Sequence, residues 1–145
     1  MKKISPEMQV FSEYLESRRL KNTPNRRFVL KTFLEGEGHR SVEDVYRAVR
    51  EGNSPIGYTT VYRAMKLLVD SGLASSVDLA DGVTRYEPLY NHSHHDHLIC
   101  TECGGSIEFF NAEIEKAQDM ASARLGFKVF DHRLQIYGLC KDCQV

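Results

Sequence analysis

Four stretches in the first half of the chain carry apolar residues at every third or fourth position, the spacing of one face of an α-helix. They lie within residues 5–20, 23–36, 41–52 and 57–72. Threonine or serine opens the second and third stretches as a helix N-cap, and glycine ends the last three. The pattern therefore predicts a short first helix followed by three longer ones.

Two short segments after the last helix predict a β-hairpin. Residues 74–79 and 83–87 flank Asp81-Gly82, a pair that favours a tight hairpin turn. Three helices followed by a hairpin form the winged-helix arrangement, in which the N-terminal part of the third helix enters the DNA major groove. The helices alone fit a plain bundle equally well, so the hairpin is what favours DNA binding. The last of the three longer helices, at residues 57–72, is the one that would enter the groove. Its outer face holds Thr59, Tyr62, Arg63 and Lys66.

The second half of the chain predicts a separate α+β domain. We expect strands at residues 94–100 and 106–110 and a helix from Asn111 to Gly126, followed by a long strand at residues 127–139. The apolar stripe of the helix comprises Ile114, Ala117, Ala121 and Leu125. Residues 88–93 are predicted to form a hinge, which divides the chain into domains at residues 1–87 and 94–145.

All four cysteines occur in two Cys-x-x-Cys pairs, Cys100 with Cys103 and Cys140 with Cys143. Two such pairs can supply four thiolates to one tetrahedral ion, usually zinc. The intervening residues 104–139 are numerous enough to contain secondary structure, so the ion would join two distant strands. The alternative interpretation is two pairs of reduced or disulfide-bonded thiols.

A cluster of histidines precedes the first cysteine pair and includes His94-His95-Asp96-His97. Neighbouring side chains on a strand point to opposite faces. His94 and Asp96 should therefore share one face, and His95 and His97 the other, which gives two separate half-sites for metal. A histidine-rich run can also be a solvated loop or an expression tag. Its interior position and the embedded Asp96 argue against a tag.

Charge is distributed unevenly along the chain. Residues 1–72 contain 13 Lys or Arg and 9 Asp or Glu, whereas residues 73–145 contain 6 and 11. The helical spacing places Arg26, Arg27 and Lys31 on an outward face.

No run approaches the roughly 20 apolar residues of a membrane helix, and no signal peptide follows Met1. We therefore expect a cytoplasmic protein whose thiols are reduced and available for metal.

Motifs along nearly the whole chain resemble those of the ferric uptake regulator family. The most specific is His-His-Asp-His-Leu-Ile-Cys-Thr-Glu-Cys-Gly at residues 94–104, together with the final cysteine pair. The other matching segments are Leu-Lys-Asn-Thr-Pro-Asn-Arg at 20–26, Thr-Thr-Val-Tyr-Arg at 59–63, Arg-Tyr-Glu at 85–87 and Ile-Glu-Phe at 107–109.

The resemblance implies a homodimeric, metal-dependent repressor that binds double-stranded operator DNA through its winged helix. Four groups of residues carry over. The structural zinc ligands would be Cys100, Cys103, Cys140 and Cys143. The regulatory site between the domains would comprise His39, Glu87, His95, His97 and Glu108. A further site inside the dimerisation domain would comprise His94, Asp96, Glu115 and His132. The DNA contacts would include Lys21 in the minor groove and Thr59, Tyr62 and Arg63 on the third helix.

The regulatory ligands favour iron sensing within this family. Peroxide-sensing members typically have aspartate where Glu87 and Glu108 stand, and zinc-sensing members typically add a cysteine to the site. Here all four cysteines belong to the two pairs. Nitrogen and oxygen ligands bind Fe²⁺, Mn²⁺, Co²⁺ and Zn²⁺ alike. A peroxide-, zinc- or manganese-sensing member of the same family is therefore the alternative.

A metalloenzyme is the competing class, because histidines and carboxylates around an open metal could activate water. No nucleophile motif accompanies these residues, and the helical half would then have no role, so we expect no enzyme activity. Metal storage or a metallochaperone is a second rival. DNA binding that depends on Mn²⁺ or Fe²⁺ would separate all three.

Overall fold

The computed structural model describes residues 3–52, 54–90 and 94–144 and divides the chain into two compact units. The first unit comprises residues 1–78 and 82–92, and the second comprises residues 79–81 and 93–145. Of the predicted hinge, residues 91–93 lie outside the described part. Helices and strands occur in both units, so the predicted α+β class is confirmed.

Four helices make up most of the first unit: α1 (Pro6–Ser17), α2 (Pro24–Glu35), α3 (Val42–Glu51) and α4 (Tyr58–Asp70). Each bears an apolar stripe that faces the other helices, because its apolar residues follow the helical period. Together these stripes bury a single core. Its largest fully buried side chains include Phe11, Leu15, Val29, Leu30, Phe33, Val45, Val49, Val61, Met65 and Leu68.

Polar side chains fix where these helices begin. The hydroxyl of Thr23 accepts a hydrogen bond from the backbone N–H of Arg26 at 3.2 Å, which satisfies one free donor of α2. Ser41 and Asp44 form a reciprocal capping box at α3, with bonds of 3.1 and 3.0 Å. The cap at Gly57 makes no side-chain hydrogen bond to α4. The predicted helix starts at Thr23 and Ser41 are therefore confirmed.

A three-stranded antiparallel sheet completes the first unit. Strands β2 (Ala74–Asp78) and β3 (Thr84–Pro88) pair along their full length, and β1 (Arg40–Ser41) pairs with the other edge of β3. The predicted hairpin is confirmed, but its two-residue Asp-Gly turn is wrong. Asp78 pairs with Thr84, so five residues connect the strands, and two of them, Ala80 and Gly82, have positive φ angles.

The second unit is built on strand β4 (Asp96–Cys100), which lies at the centre of its own sheet. Strand β5 (Ser106–Phe109) pairs with β4 antiparallel, and β6 (Gln135–Gly138) pairs with its other edge in parallel. Helix α5 (Ala112–Arg124) connects β5 to the segment before β6, and Asn111 caps its start. A 3₁₀ turn, Lys141–Cys143, ends the described chain.

The predicted long strand at residues 127–139 is wrong. Only β6 (Gln135–Gly138) is extended and paired, whereas residues 127–134 form no regular element. Alternating apolar residues form a strand only where a neighbouring backbone can accept and donate the ladder hydrogen bonds. Within one copy of the described chain, β4 supplies that neighbour only from His97 to Cys100, which sets the length of β6.

Many apolar side chains of the second unit remain exposed. The stripe predicted on α5 is not covered, and none of its residues is buried. The exposed fraction is 79% for Leu125, 74% for Phe127 and 88% for Phe130. Within the described ranges, no helix is both long enough and apolar enough to cross a membrane.

Candidate metal centres

The four cysteines converge at one end of the second sheet. Strands β4 and β6 run side by side in parallel, and Cys100 pairs with Gly138 at their ends, so Cys100 and Cys140 leave the sheet together. The four Sγ atoms all lie within 4.8 Å of one another. Sγ of Cys103 is 3.8 Å from Sγ of Cys140. A tetrahedral ion with Zn–S bonds of about 2.3 Å would hold its sulfurs about 3.8 Å apart.

The electrostatics of this cluster call for a cation. Backbone N–H groups of Cys103 and Cys140 lower the pKa of the Cys100 thiol to about 6. The Cys140 thiol beside it raises the pKa of Cys143 to about 12. Four thiolates this close cannot all carry negative charge alone, whereas a divalent ion favours ionisation of each of them. The donor set and its spacing therefore fit structural zinc.

A second cluster lies on one side of β4 and includes Glu115 of α5. Nε2 of His94 is 3.2 Å from Oδ1 of Asp96 and 3.1 Å from Oε1 of Glu115. Nε2 of His132 is 3.2 Å from the other oxygen of Glu115. Each of these four residues offers a ligand atom within 4.8 Å of the others. Two imidazoles and two carboxylates that meet in this way can hold a divalent ion.

Asp96 gives independent support for an ion in this second cluster. The residue is 1% exposed. Neither carboxylate oxygen accepts a well-formed hydrogen bond from the described residues. A buried carboxylate is unfavourable unless hydrogen bonds or a cation compensate for its lost hydration. A metal ion held with His94, Glu115 and His132 would provide that compensation.

The other side of β4 carries a different pair of histidines. The rings of His95 and His97 lie 5.0 Å apart, edge to face, and His97 is buried. Glu108 on β5 pairs with His97 across the sheet, and its Oε1 is 3.5 Å from Nε2 of His95. The histidine run therefore separates by odd and even position, although the strand itself begins only at Asp96.

The first unit contains its own histidine and carboxylate pair. Nε2 of His39 lies 2.8 Å from Oε2 of Glu87, and only 14% and 12% of these side chains are exposed. The pairing of β1 with β3 brings them together, because His39 immediately precedes β1 and Glu87 lies on β3. The sequence places these residues 48 positions apart, so only the sheet makes them neighbours.

The outer face of α4 presents polar and aromatic groups to solvent, as its spacing predicted. Thr59, Tyr62, Arg63 and Lys66 are all exposed, and 51% of Tyr62 is accessible. Lys21 is exposed in the loop between α1 and α2. No charged partner of Arg63 or Lys66 is found among the described residues, so these cations are available to an external anion.

Sequence reasoning missed the role of two arginines. Arg26 and Arg27 were predicted to point outward, but each donates a hydrogen bond to a backbone carbonyl, that of Lys21 or Asn22. Helical periodicity gives the direction of a side chain from its helix axis and carries no signal for a bond back to the preceding loop.

Comparisons with known proteins agree on one family. The model of the ferric uptake regulator family matches residues 17–137. The chain is 37% identical to the ferric uptake regulation protein of Campylobacter upsaliensis over 138 residues, which covers 94% of this chain and 88% of that one. Two solved structures are also similar. The ferric uptake regulator of Pseudomonas aeruginosa with manganese gives a TM-score of 0.77 at 34% identity, covering 91% of this chain and 98% of that one.

The second structure is the ferric uptake regulator of Helicobacter pylori, described as having three functional metal binding sites. It gives a TM-score of 0.75 at 27% identity and covers 100% of this chain and 98% of that one. The family match extends over most of the chain, and it includes helices α2 to α5, both strands of the hairpin and the histidine cluster. The chain therefore belongs to the ferric uptake regulator family, whose members are metal-responsive transcriptional regulators.

Proposed function

We propose that this chain is a cytoplasmic, homodimeric repressor that binds operator DNA when a divalent metal ion, Fe²⁺ in the cell, fills its regulatory site. The observation that carries the proposal is the separation of two ligand groups between the two units. His39 and Glu87 belong to the first unit, and His95, His97 and Glu108 belong to the second. We propose that one ion takes ligands from both groups.

Such an ion would act by selecting one arrangement of the two domains, here taken as residues 1–87 and 94–145. It would bind tightly only where all its ligands can reach it, so it would increase the population of that arrangement. If this arrangement spaces the two α4 helices of a dimer for successive major grooves, metal raises DNA affinity. By linkage, DNA must then raise metal affinity by the same factor.

The chemistry of the ligands supports different metal ions at the different sites. Zn²⁺ suits the four thiols of Cys100, Cys103, Cys140 and Cys143, since thiolates bind this ion strongly and the four sulfurs lie within 4.8 Å of one another. The imidazole and carboxylate groups suit Fe²⁺, and they also accept Mn²⁺, Co²⁺ or Zn²⁺ in vitro. An additional ion at His94, Asp96, Glu115 and His132 would stabilise the second unit directly.

The exposed apolar surface of the second unit supports a dimer. Leu125, Phe127 and Phe130 are 79%, 74% and 88% exposed, and large exposed apolar patches often mark protein–protein interfaces. Residues 127–134 also carry the apolar sequence pattern of a strand but have no strand neighbour in one copy, and a second copy could supply one. We propose that α5 and this segment pack against their counterparts in the partner subunit.

The exposed face of α4 supports a role for this helix in recognising the base sequence of DNA. Tyr62 can contact thymine methyl groups, and Arg63 can donate to bases or phosphates. Thr59 lies one turn before Arg63 and would follow the same groove. Lys21, on a loop apart from α4, would contact the minor groove or its phosphates.

The test is operator binding by fluorescence anisotropy, using a duplex that the protein selects from a randomised pool. Anaerobic Fe²⁺ and Mn²⁺ should each strengthen binding at least tenfold over the zinc-containing protein alone. Tyr62→Ala and Arg63→Ala should each weaken binding by about 1–3 kcal/mol while metal binding is retained. Equal affinity with and without metal would contradict metal-activated repression. Full activation by Zn²⁺ at concentrations at which Fe²⁺ has no effect would instead identify a zinc sensor.

A further inference from the structure

The loop between α1 and α2 is held in place by two arginine side chains from the helix that follows it. Nη1 of Arg26 donates to the carbonyl oxygen of Lys21 at 2.5 Å. Nη1 of Arg27 donates to the carbonyl oxygen of Asn22 at 2.6 Å. Hydrogen bonds from a charged donor are shorter and stronger than those between neutral groups. Two consecutive peptide units are therefore fixed from α2.

The backbone on either side of these two units is fixed as well. After α1 the chain turns at Arg19, whose φ angle is 57°, and the N–H of Leu20 donates to the carbonyl of Leu15 at 2.8 Å. Thr23 then caps α2 through its side-chain oxygen. Only Lys21 and Asn22 lie between these two anchored points, and the arginines bind the carbonyl of each.

The side chain of Asn22 indicates that contacts with other residues stabilise this loop conformation. Its side-chain oxygen is buried and has no hydrogen-bond partner among the described residues. A buried acceptor without a donor destabilises the conformation that contains it. The loop therefore keeps this shape because other contacts outweigh that cost, and the two guanidinium bonds are among those contacts.

The side chain of Lys21 is exposed while its backbone is fixed. A lysine has several rotatable bonds, and binding immobilises them at a cost in conformational entropy. A rigid backbone limits this cost, because only the side chain remains to be ordered. The same rigidity fixes the position of the Lys21 Cα atom and the direction of its Cα–Cβ bond, which limits the region that the ammonium group can reach.

We propose that Arg26 and Arg27 are positioning residues that hold Lys21 in the orientation with which it contacts DNA. This inference rests on the proposed function, because it assumes that Lys21 reaches the DNA. The arginines act through the loop: their guanidinium groups bind carbonyls of residues 21 and 22 and are not needed on the DNA phosphates. Their effect on operator binding therefore exists only while Lys21 is present.

A double-mutant cycle tests this dependence directly. The dissociation constant for a duplex that the wild-type protein selects with Mn²⁺ from a randomised pool is measured at several KCl concentrations. The four proteins are the wild type, Lys21→Ala, Arg26→Met and the double variant. Lys31→Met is the matched control, because Lys31 is an exposed cation on the same helix, and its ion pair within the described chain is with exposed Glu35 at 3.9 Å. This control should bind within about twofold of wild type in both backgrounds.

We expect Arg26→Met to weaken binding about three- to tenfold and to flatten the salt dependence as Lys21→Ala does. Lys21→Ala removes the Lys21 ammonium from the phosphates, and Arg26→Met releases the backbone that holds it there. In the Lys21→Ala background, Arg26→Met should change neither quantity. Arg26→Lys keeps the charge but cannot reproduce the planar donor group, so it should bind as weakly as Arg26→Met. If Arg26→Met unfolds below the assay temperature, Arg26→Lys replaces it in the double-mutant cycle.

Independent, additive effects in the double variant would show that Arg26 contacts the DNA itself and would overturn the positioning role. Wild-type affinity in Arg26→Lys would overturn it as well, because charge alone would then suffice. A pool from which the wild-type protein selects no duplex with Mn²⁺ would overturn the proposed function, and the role of the arginines with it. These results are distinguishable because the wild-type selection precedes every variant.

Discussion

Replacing Asp96 by asparagine separates the cost of burying its carboxylate from its value as a metal ligand. The side chain has no exposed surface, and its oxygens accept no well-formed hydrogen bond from the described residues. An ionised group in such surroundings is unfavourable, whereas an amide of the same shape carries no charge. Without added metal, we therefore expect Asp96→Asn to leave the melting temperature unchanged or to raise it.

With metal the same substitution should have the opposite effect. An ion present at 100 times its dissociation constant adds about 2.7 kcal/mol to the free energy of unfolding. Loss of a group that supports a metal site costs 10- to 100-fold in affinity, and a direct ligand should reach the upper value. The altered site would then contribute only about 0.4 kcal/mol at the same metal concentration. The difference of about 2.3 kcal/mol corresponds to roughly 5–9 °C in melting temperature.

Scanning calorimetry of the zinc-containing protein, with and without Mn²⁺, measures both effects. The number of exchangeable Mn²⁺ ions per chain should also fall by one in the variant. Asp119→Asn is the matched control, since it removes an exposed carboxylate from α5, and it should retain the metal-induced rise. A variant that melts earlier without metal and keeps the full metal-induced rise would refute the assignment of Asp96 as a ligand.

Three further predictions concern the zinc centre, the two faces of β4 and a helix cap. Cys140→Ser should lose tightly bound zinc and lower the melting temperature of the second unit, because structural zinc binding is coupled to folding; unchanged zinc content by atomic absorption would contradict the four-thiolate site. His95→Ala should abolish metal-activated operator binding with zinc retained, whereas His94→Ala should lose one metal equivalent and impair binding only partly. Identical behaviour of the two variants would place both histidines in one site. The backbone N–H of Ser41 lowers the pKa of the Asp44 carboxyl below its usual 3.8. The ionised cap therefore stabilises the fold above that pH and is lost as the pH falls through the lowered value. In urea unfolding, Asp44→Ala should be less stable than wild type at pH 7, and the difference should shrink as the pH falls below 3.8; a constant difference would show that the charge is not responsible.

Local chemistry explains which features the sequence predicted well. The cap at Thr23 and the capping box at Ser41 depend on residues within four positions of each other, and both are present. The alternation of His94, His95, Asp96 and His97 depends only on the pleat of an extended chain. It holds across these residues even though His94 and His95 precede the first paired residue of β4.

Features that depend on distant partners could not be predicted in this way. The length of β6 is set by the part of β4 that lies beside it, so the apolar pattern of residues 127–139 overestimated the strand. Glu115 and His132 were assigned as ligands only through the family resemblance, because no local pattern links a residue of α5 to the loop before β6. The bond from Arg26 to the Lys21 carbonyl likewise leaves no periodic signal.

The geometry of β4 gives a physical reason for the second unit to contain two metal clusters rather than one. His94 and Asp96 face Glu115, while His95 and His97 face Glu108, so ligands of both clusters alternate along four consecutive residues. An ion that fixes His94 and Asp96 also fixes the backbone that carries His95 and His97. The second ion then meets ligands that are already ordered, and less conformational entropy is lost when it binds. If both clusters hold ions, we expect positive coupling between them, and by linkage it must act equally in both directions. Asp96 is buried and lies between His95 and His97 in the sequence, so the coupling should weaken when this residue is replaced.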